Sequence, residues 1–286
     1  MTDRSRVDAH HHFWDPARAT YPWLTPELAP IARAFGPDDL APLLEAAGIG
    51  RTIVVQARAS LDETRELLAL AAGSPLVAGV VGWVELTAPA IGDVLAALGS
   101  SPGGERLVGI RHQVHDEPDP DWLLRADVRR GLRAVADAGL AFDLLVRPRE
   151  LPAALRVTRE LPDLRFVVDH LAKPPIRERA LEPWASLISP FTSLDNVWCK
   201  VSGLVTEADW QAWRVEDLGP YVRHAIDVFT PARLMFGSDW PVCLLAAPYV
   251  RVVESARALT ADFTDAEGGL FFGGTASEVY RLDAAG

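Results

Sequence analysis

A chain of 286 residues, 49% of them hydrophobic, is long enough to bury a large core, and a single domain spanning 1–286 is expected. Its formal charge of -11 speaks against a nucleic-acid partner or an anionic membrane surface, both of which require clustered Lys and Arg. There is no apolar run of about 18 residues, and the opening Met1-Thr2-Asp3-Arg4-Ser5-Arg6 lacks the apolar core of a signal peptide, so cytoplasmic residence is expected.

The first predicted strand, 7–10 (VDAH), runs into His10-His11-His12. Side chains alternate faces along a strand, so His10 and His12 point one way and His11 the other. Two convergent imidazoles can share a metal ion or flank one polarised oxygen. Three histidines near a terminus can also be a tag remnant, but the apolar Val7 and Ala9 before them and Phe13-Trp14 after them read as folded protein. A helix is predicted over 38–47 (DDLAPLLEAA), a strand over 51–57 (RTIVVQA) and a helix over 62–72 (DETRELLALAA). Strands follow at 77–84 and 108–113, a helix at 127–138, a strand at 141–147 and a helix at 149–161. The last predicted strands are 165–171, 197–203 and 233–239, with a helix at 217–229 between the final two. Several helices open with Asp, expected as the capping residue.

Eight apolar strand segments alternating with helices predict parallel strands buried on both faces, closed as a (β/α)₈ barrel of the α/β class. An open doubly wound sheet is the alternative, and it lacks support because no glycine-rich phosphate loop follows the first strand. Active sites of barrels sit at the C-terminal strand ends. Those ends carry His10 and His12, Gln56, Trp83, Arg111 with His112, Arg147, Asp169 with His170, Lys200 with Ser202, and Asp239 with Trp240. His115 lies in the loop after the fourth strand, while His224 falls in a helix. Any one histidine is explained as readily by backbone hydrogen bonds, but convergence of four argues for a reactive centre. Cys199 and Cys243 are expected as free buried thiols.

The segments VDAHHHFWDP, GIRHQVHDEPDPDWL (109–123), VVDHLAKPPI (167–176), CKVSGLVTEADW (199–210), LMFGSDWPVC (234–243) and GGTASEVYRL (273–282) together resemble the amidohydrolase superfamily. Within it the chain is most similar to the branch of sugar lactonases, such as those of L-fuconolactone and L-rhamnonolactone, and of 2-pyrone-4,6-dicarboxylate lactonase. That resemblance implies a reactive cluster of His10, His12, His170 and Asp239, with Asp239 as general base. Barrel closure agrees, since the last strand lies beside the first. Metal-rich members carry a carboxylated Lys or a Glu on strand 4 and a His on strand 5; here strand 4 ends in Arg111-His112 and strand 5 has no histidine, so a binuclear centre is not expected. The four residues are expected to hold one divalent ion, Zn²⁺ by preference, or none.

In such a reaction Asp239 would take a proton from water and return it to the ring oxygen, with His10, His12 and His170, or the metal they hold, polarising the carbonyl and His112 adding a hydrogen bond. Trp14, Trp83 and Trp240 suit the apolar face of a sugar ring, and Arg111, His115 and Lys173 suit its hydroxyls or a carboxylate. Trp122, Trp184, Trp198, Trp210 and Trp213 are expected as core or helix-surface anchors. The expected partner is a small-molecule lactone, with oligomeric state open. A dicarboxylate lactone would need two convergent arginines, for which only Arg111 and Arg147 are well placed, so a neutral polyhydroxylated lactone is preferred. Two other readings stay open: a metal-dependent, non-oxidative decarboxylase of an aromatic acid, and a non-catalytic barrel that binds a sugar acid.

Overall fold

The computed structural model describes residues 3–282. Eight parallel strands pair in sequence order: β1 (Asp3–His11), β2 (Ile49–Val55), β3 (Val77–Gly82), β4 (Leu107–His112), β5 (Ala141–Leu144), β6 (Arg165–Val168), β7 (Val197–Val201) and β8 (Leu234–Phe236). The sheet closes where the chain continues past β8: the Asp239 amide donates to the His10 carbonyl at 2.8 Å, and the His12 amide to the Trp240 carbonyl at 2.7 Å. Closure therefore happens at the level of the histidines, which brings residues separated by more than 200 positions side by side. The helices between and after the strands surround this barrel as a (β/α)₈ fold. Among the described residues no helix is long and apolar enough to cross a membrane.

Strand ends depart from the sequence expectation in one direction. β5, β6 and β8 stop at 144, 168 and 236, three residues short of the predicted 147, 171 and 239. The chain leaves the sheet there to form turns, and Asp169, His170 and Asp239 sit on those turns rather than on extended backbone. β1 in turn begins at Asp3 rather than residue 7, and its pairing with β2 shifts register between Asp8 and His11, where the histidines enter.

The helix starts also need correction. Gly36, Ser60 and Arg125 occupy the capping positions of α1 (Pro37–Ala47), α2 (Leu61–Gly73) and α4 (Ala126–Asp137), and the aspartates expected as caps lie in the first turn. From there Asp39 still accepts from the Gly36 amide at 3.0 Å, so the carboxylate serves the helix end one turn in. One apolar cluster fills the space between barrel and helices. A second joins Val7, Ile53, Val55, Val81 and Met235 to Val279 and Tyr280 of the C-terminal helix α11 (Thr275–Val279) and the residue after it, which seals the end of the barrel opposite the site.

Candidate active site

His10, His12, His170 and Asp239 converge at the C-terminal end of the barrel, all of them 5% exposed or less. His12 Nε2 lies 3.2 Å from His10 Nε2 and 3.4 Å from Asp239 Oδ1, and His170 Nε2 is 4.0 Å from the same oxygen. The proton positions follow partly from the partners. His12 Nδ1 lies 2.8 Å from the Val55 carbonyl, which can only accept, so Nδ1 is the donor there and Nε2 is turned towards the cluster. Donor atoms of His10, His170 and Asp239 lie within 4.8 Å of one another, a spacing that fits one divalent ion.

Electrostatics keep this set in its coordinating form. Burial pushes the His170 pKa down to about 4 and that of His10 well below 6.5, so both imidazoles are neutral near pH 7. Burial acts to raise the Asp239 pKa, yet its interactions with the His170 and His12 rings and with the Lys173 ammonium together hold it below its ordinary value. His10 is flanked by cations on both edges, with Arg111 Nη1 3.2 Å from Nε2 and Lys200 Nζ 3.2 Å from Nδ1.

Backbone of unusual conformation carries the site. His170, Leu171, Ala172 and Lys173 all have φ between 51° and 58°, a left-handed turn that costs roughly 1–2 kcal/mol per residue. Surrounding structure holds the turn: the Trp184 indole N–H donates to the Leu171 carbonyl at 2.6 Å, and the Lys173 amide to the His170 carbonyl at 2.8 Å. Gly203, at φ 63°, passes so close beneath His170 that a Cβ there would lie 2.7 Å from its Nδ1. Asp239 is itself left-handed at φ 57°.

Beneath the cluster lies a buried charge network, of which the sequence reading gave a role only to Arg111, as a substrate contact. Lys200 Nζ bonds Asp143 Oδ2 and lies 3.0 Å from Asp169 Oδ1, while Arg111 Nη1 donates to Asp169 Oδ2 at 3.0 Å. The Tyr280 hydroxyl donates to Asp143 at 2.8 Å, which ties the C-terminal helix to the floor of the site. Asp143 is the residue that strand-end reasoning missed, although an Asp inside the apolar run AFDLLV is itself a signal of a buried, paired charge. Asp8 behaves similarly, accepting from the Ser238 amide at 2.8 Å and the Tyr249 hydroxyl at 3.1 Å.

A cavity of about 360 Å³ opens over the cluster. His12, His170 and Asp239 line its floor, and Arg111, His115 and Lys173 line its walls. Trp14 is on the wall too, but it is 4% exposed and its indole N–H is bound to the Ile31 carbonyl, so it is chiefly a packing residue against Trp23 and Phe35. Three other residues expected at the site lie elsewhere. Trp240 is 1% exposed and packs edge-on against Phe13 and Phe35, because the strand end turns it outward into the helix layer. His112 is stacked at 4.3 Å on Trp122; its Nδ1 accepts from the Trp83 indole at 3.1 Å and its Nε2 pairs with Glu117 at 2.7 Å. With both nitrogens engaged, His112 and Trp83 buttress the loop after β4 and do not border the cavity.

Conversely, Trp23 and Trp210 border it, as do Gln113, Arg147 and Glu207. Trp210 was expected as a core or helix-surface anchor, and Trp23 lies in the irregular segment after β1, where no periodicity marks it. His11 turns away from the cluster against the Phe13 ring at 4.7 Å, with neither ring nitrogen hydrogen-bonded among the described residues. His11→Phe should therefore leave turnover within about twofold, since no hydrogen bond is lost and a flat ring still packs against Phe13, whereas His12→Phe should abolish it. Steady-state kinetics on the two purified variants checks this, and a His11→Phe protein that folds but is inactive would contradict it.

A parallel barrel with imidazoles from the ends of strands 1 and 6 and a carboxylate from the end of strand 8 sets residues that fit one divalent ion at the floor of a cavity. The chain belongs to the amidohydrolase family, Amidohydro_2, whose pattern matches residues 7–282. It is 40% identical to an L-fucono-1,5-lactonase of Burkholderia multivorans over 97% of this chain and 96% of that protein. A second L-fucono-1,5-lactonase, from Burkholderia ambifaria, is likewise 40% identical over 97% and 96%. An amidohydrolase of Burkholderia multivorans solved with bound zinc superposes with a TM-score of 0.91 at 40% identity, covering 97% of this chain and 99% of that one.

Proposed function

We propose that this protein hydrolyses the ring ester of a neutral sugar-acid lactone, of the L-fucono-1,5-lactone kind, with Asp239 as the general base. The observation that carries the reading is a carboxylate kept ionised among neutral imidazoles at the floor of a cavity walled by tryptophan and polar side chains. Similarity to two L-fucono-1,5-lactonases across nearly the whole chain supports the substrate class.

Asp239 accepts a proton from the attacking water and delivers it to the ring oxygen as the C–O bond breaks, so that the lactone becomes a hydroxy acid without a covalent enzyme intermediate. The Val55 carbonyl fixes the His12 ring, and Ser202 Oγ, 2.8 Å from His170 Nδ1, fixes that of His170. Burial holds His10 uncharged, and the Lys200 ammonium, 3.2 Å from its Nδ1, acts in the same direction against the pull of Asp169. A divalent ion held by His10, His170 and Asp239 would polarise the lactone carbonyl, and Zn²⁺ is the ion we propose, because it favours imidazole and carboxylate ligands. Selection of a neutral ring follows from the arginines: Arg111 is already engaged by Asp169, His10 and the Gln56 carbonyl, which leaves only Arg147 of the pair for an extra carboxylate.

A pH-indicator assay over a panel of aldonolactones, a pyrone dicarboxylate and a dihydroxybenzoate, with metal content measured on the same sample, tests the proposal. Acid release from the neutral lactones and about one zinc per chain are expected. Faster turnover of the pyrone dicarboxylate than of every neutral lactone, or gas release from the aromatic acid, would overturn it.

A further inference from the structure

We propose that Glu207, braced by Lys173, is a specificity-determining residue whose carboxylate reads a ring hydroxyl of the substrate, with Trp210 supplying the apolar surface beside it. The inference rests on the lactone reading above and says how the sugar is told from a bare lactone. Lys173 and Glu207 come from different elements, the turn after β6 and the short helix α7 (Leu204–Glu207), and meet at 2.6 Å on the cavity that holds His170 and Asp239. Only Oε1 of Glu207 is used in that contact; Oε2 has no hydrogen-bond partner among the described residues. A carboxylate has about four acceptor positions, so most of its capacity remains for a ligand.

Charge decides what kind of ligand. An unpaired lysine at this place would select a carboxylate, whereas a paired ammonium and carboxylate offer donor and acceptor together, which is what a hydroxyl requires. At 18% and 27% side-chain exposure the pair is largely withdrawn from water but still accessible. Trp210 lines the same cavity at 37% exposure, its indole N–H tied to the Thr206 carbonyl at 2.9 Å, so the ring is held in place at the rim. An aromatic surface next to a carboxylate matches a sugar ring, which is apolar on its C–H face and polar at its edge. The left-handed turn adds a further link. One strained unit carries both His170 and Lys173, so the reactive cluster and the hydroxyl-reading pair are fixed at a constant separation.

The bland alternative is an ion pair that only anchors α7, and a cycle of substrate and protein changes separates the two. kcat/KM is measured for L-fucono-1,5-lactone and its monodeoxy analogues with the wild-type protein, Glu207→Gln and Lys173→Met. Wild-type protein should lose about 10- to 100-fold on one deoxy analogue, a typical range for a hydrogen bond to a charged group. In Glu207→Gln that penalty should collapse to about threefold or less, and Lys173→Met should reduce it in part, because the hydroxyl and the carboxylate are coupled. Equal losses on every lactone, or deoxy penalties unchanged by either substitution, would overturn the proposal while leaving the lactonase reading intact. No turnover of any sugar lactone by the wild-type protein would overturn both.

Discussion

Asp239→Asn is expected to lower kcat on the best lactone by about 10²- to 10⁴-fold while leaving the fold unchanged, because an amide cannot accept the proton of the attacking water. Asn is the suitable replacement on structural grounds as well as chemical ones. The residue sits at φ 57°, where Asn is among the few side chains tolerated, and its amide keeps the 2.8 Å bond to the His10 carbonyl that closes the barrel. Thermal melting should therefore match the wild type. Metal content of the same variant should fall, because a carboxylate oxygen of Asp239 is one of the three donor atoms that fit an ion. A variant that melts normally and retains full kcat would remove Asp239 from the chemistry, whatever its metal content.

The barrel was legible in the sequence because buried parallel strands leave nearly continuous apolar runs, and the convergence of His10, His12, His170 and Asp239 because they sit next to those runs. What the sequence hid is instructive. Chain direction at a strand end decides whether a side chain faces the cavity or the helix layer, and the left-handed backbone at Asp239 sends Trp240 into the core beside Phe13 and Phe35. Trp83 and His112 were misread for a related reason: a strand end supplies more polar positions than a site uses, and these two satisfy each other. Trp210 and Glu207 were not assigned to the site because they lie beyond the end of β7, on a single helical turn and the loop after it, where spacing carries no directional information.

Lys200→Met tests the buried network directly, and it should be the most destabilising single change in the site. Lys200 is fully buried between Asp143 and Asp169, so its removal strands carboxylates that have no route to water. Breaking one partner of a buried ion pair costs about 3–5 kcal/mol, because the remaining charge keeps its desolvation penalty and loses its compensation. In a chain of this size that corresponds to a melting temperature lower by roughly 10 °C. The pH dependence has a definite sign. Burial pushes the Asp143 pKa up to about 6 even with Lys200 beside it, against 3.8 for an ordinary Asp, so between those values the folded state holds a proton that the unfolded chain has released. Stability from this group therefore falls as pH rises through that window, and without Lys200 the folded-state pKa moves higher and the window extends upward. The melting deficit of Lys200→Met should be smaller at pH 5.5 than at pH 8. Adding Asp143→Asn should recover much of it at pH 8, since an amide is cheaper to bury than an unpaired carboxylate. A deficit that is independent of pH and unaffected by Asp143→Asn would mean that Lys200 stabilises the barrel by packing its alkyl chain, with its charge already compensated elsewhere.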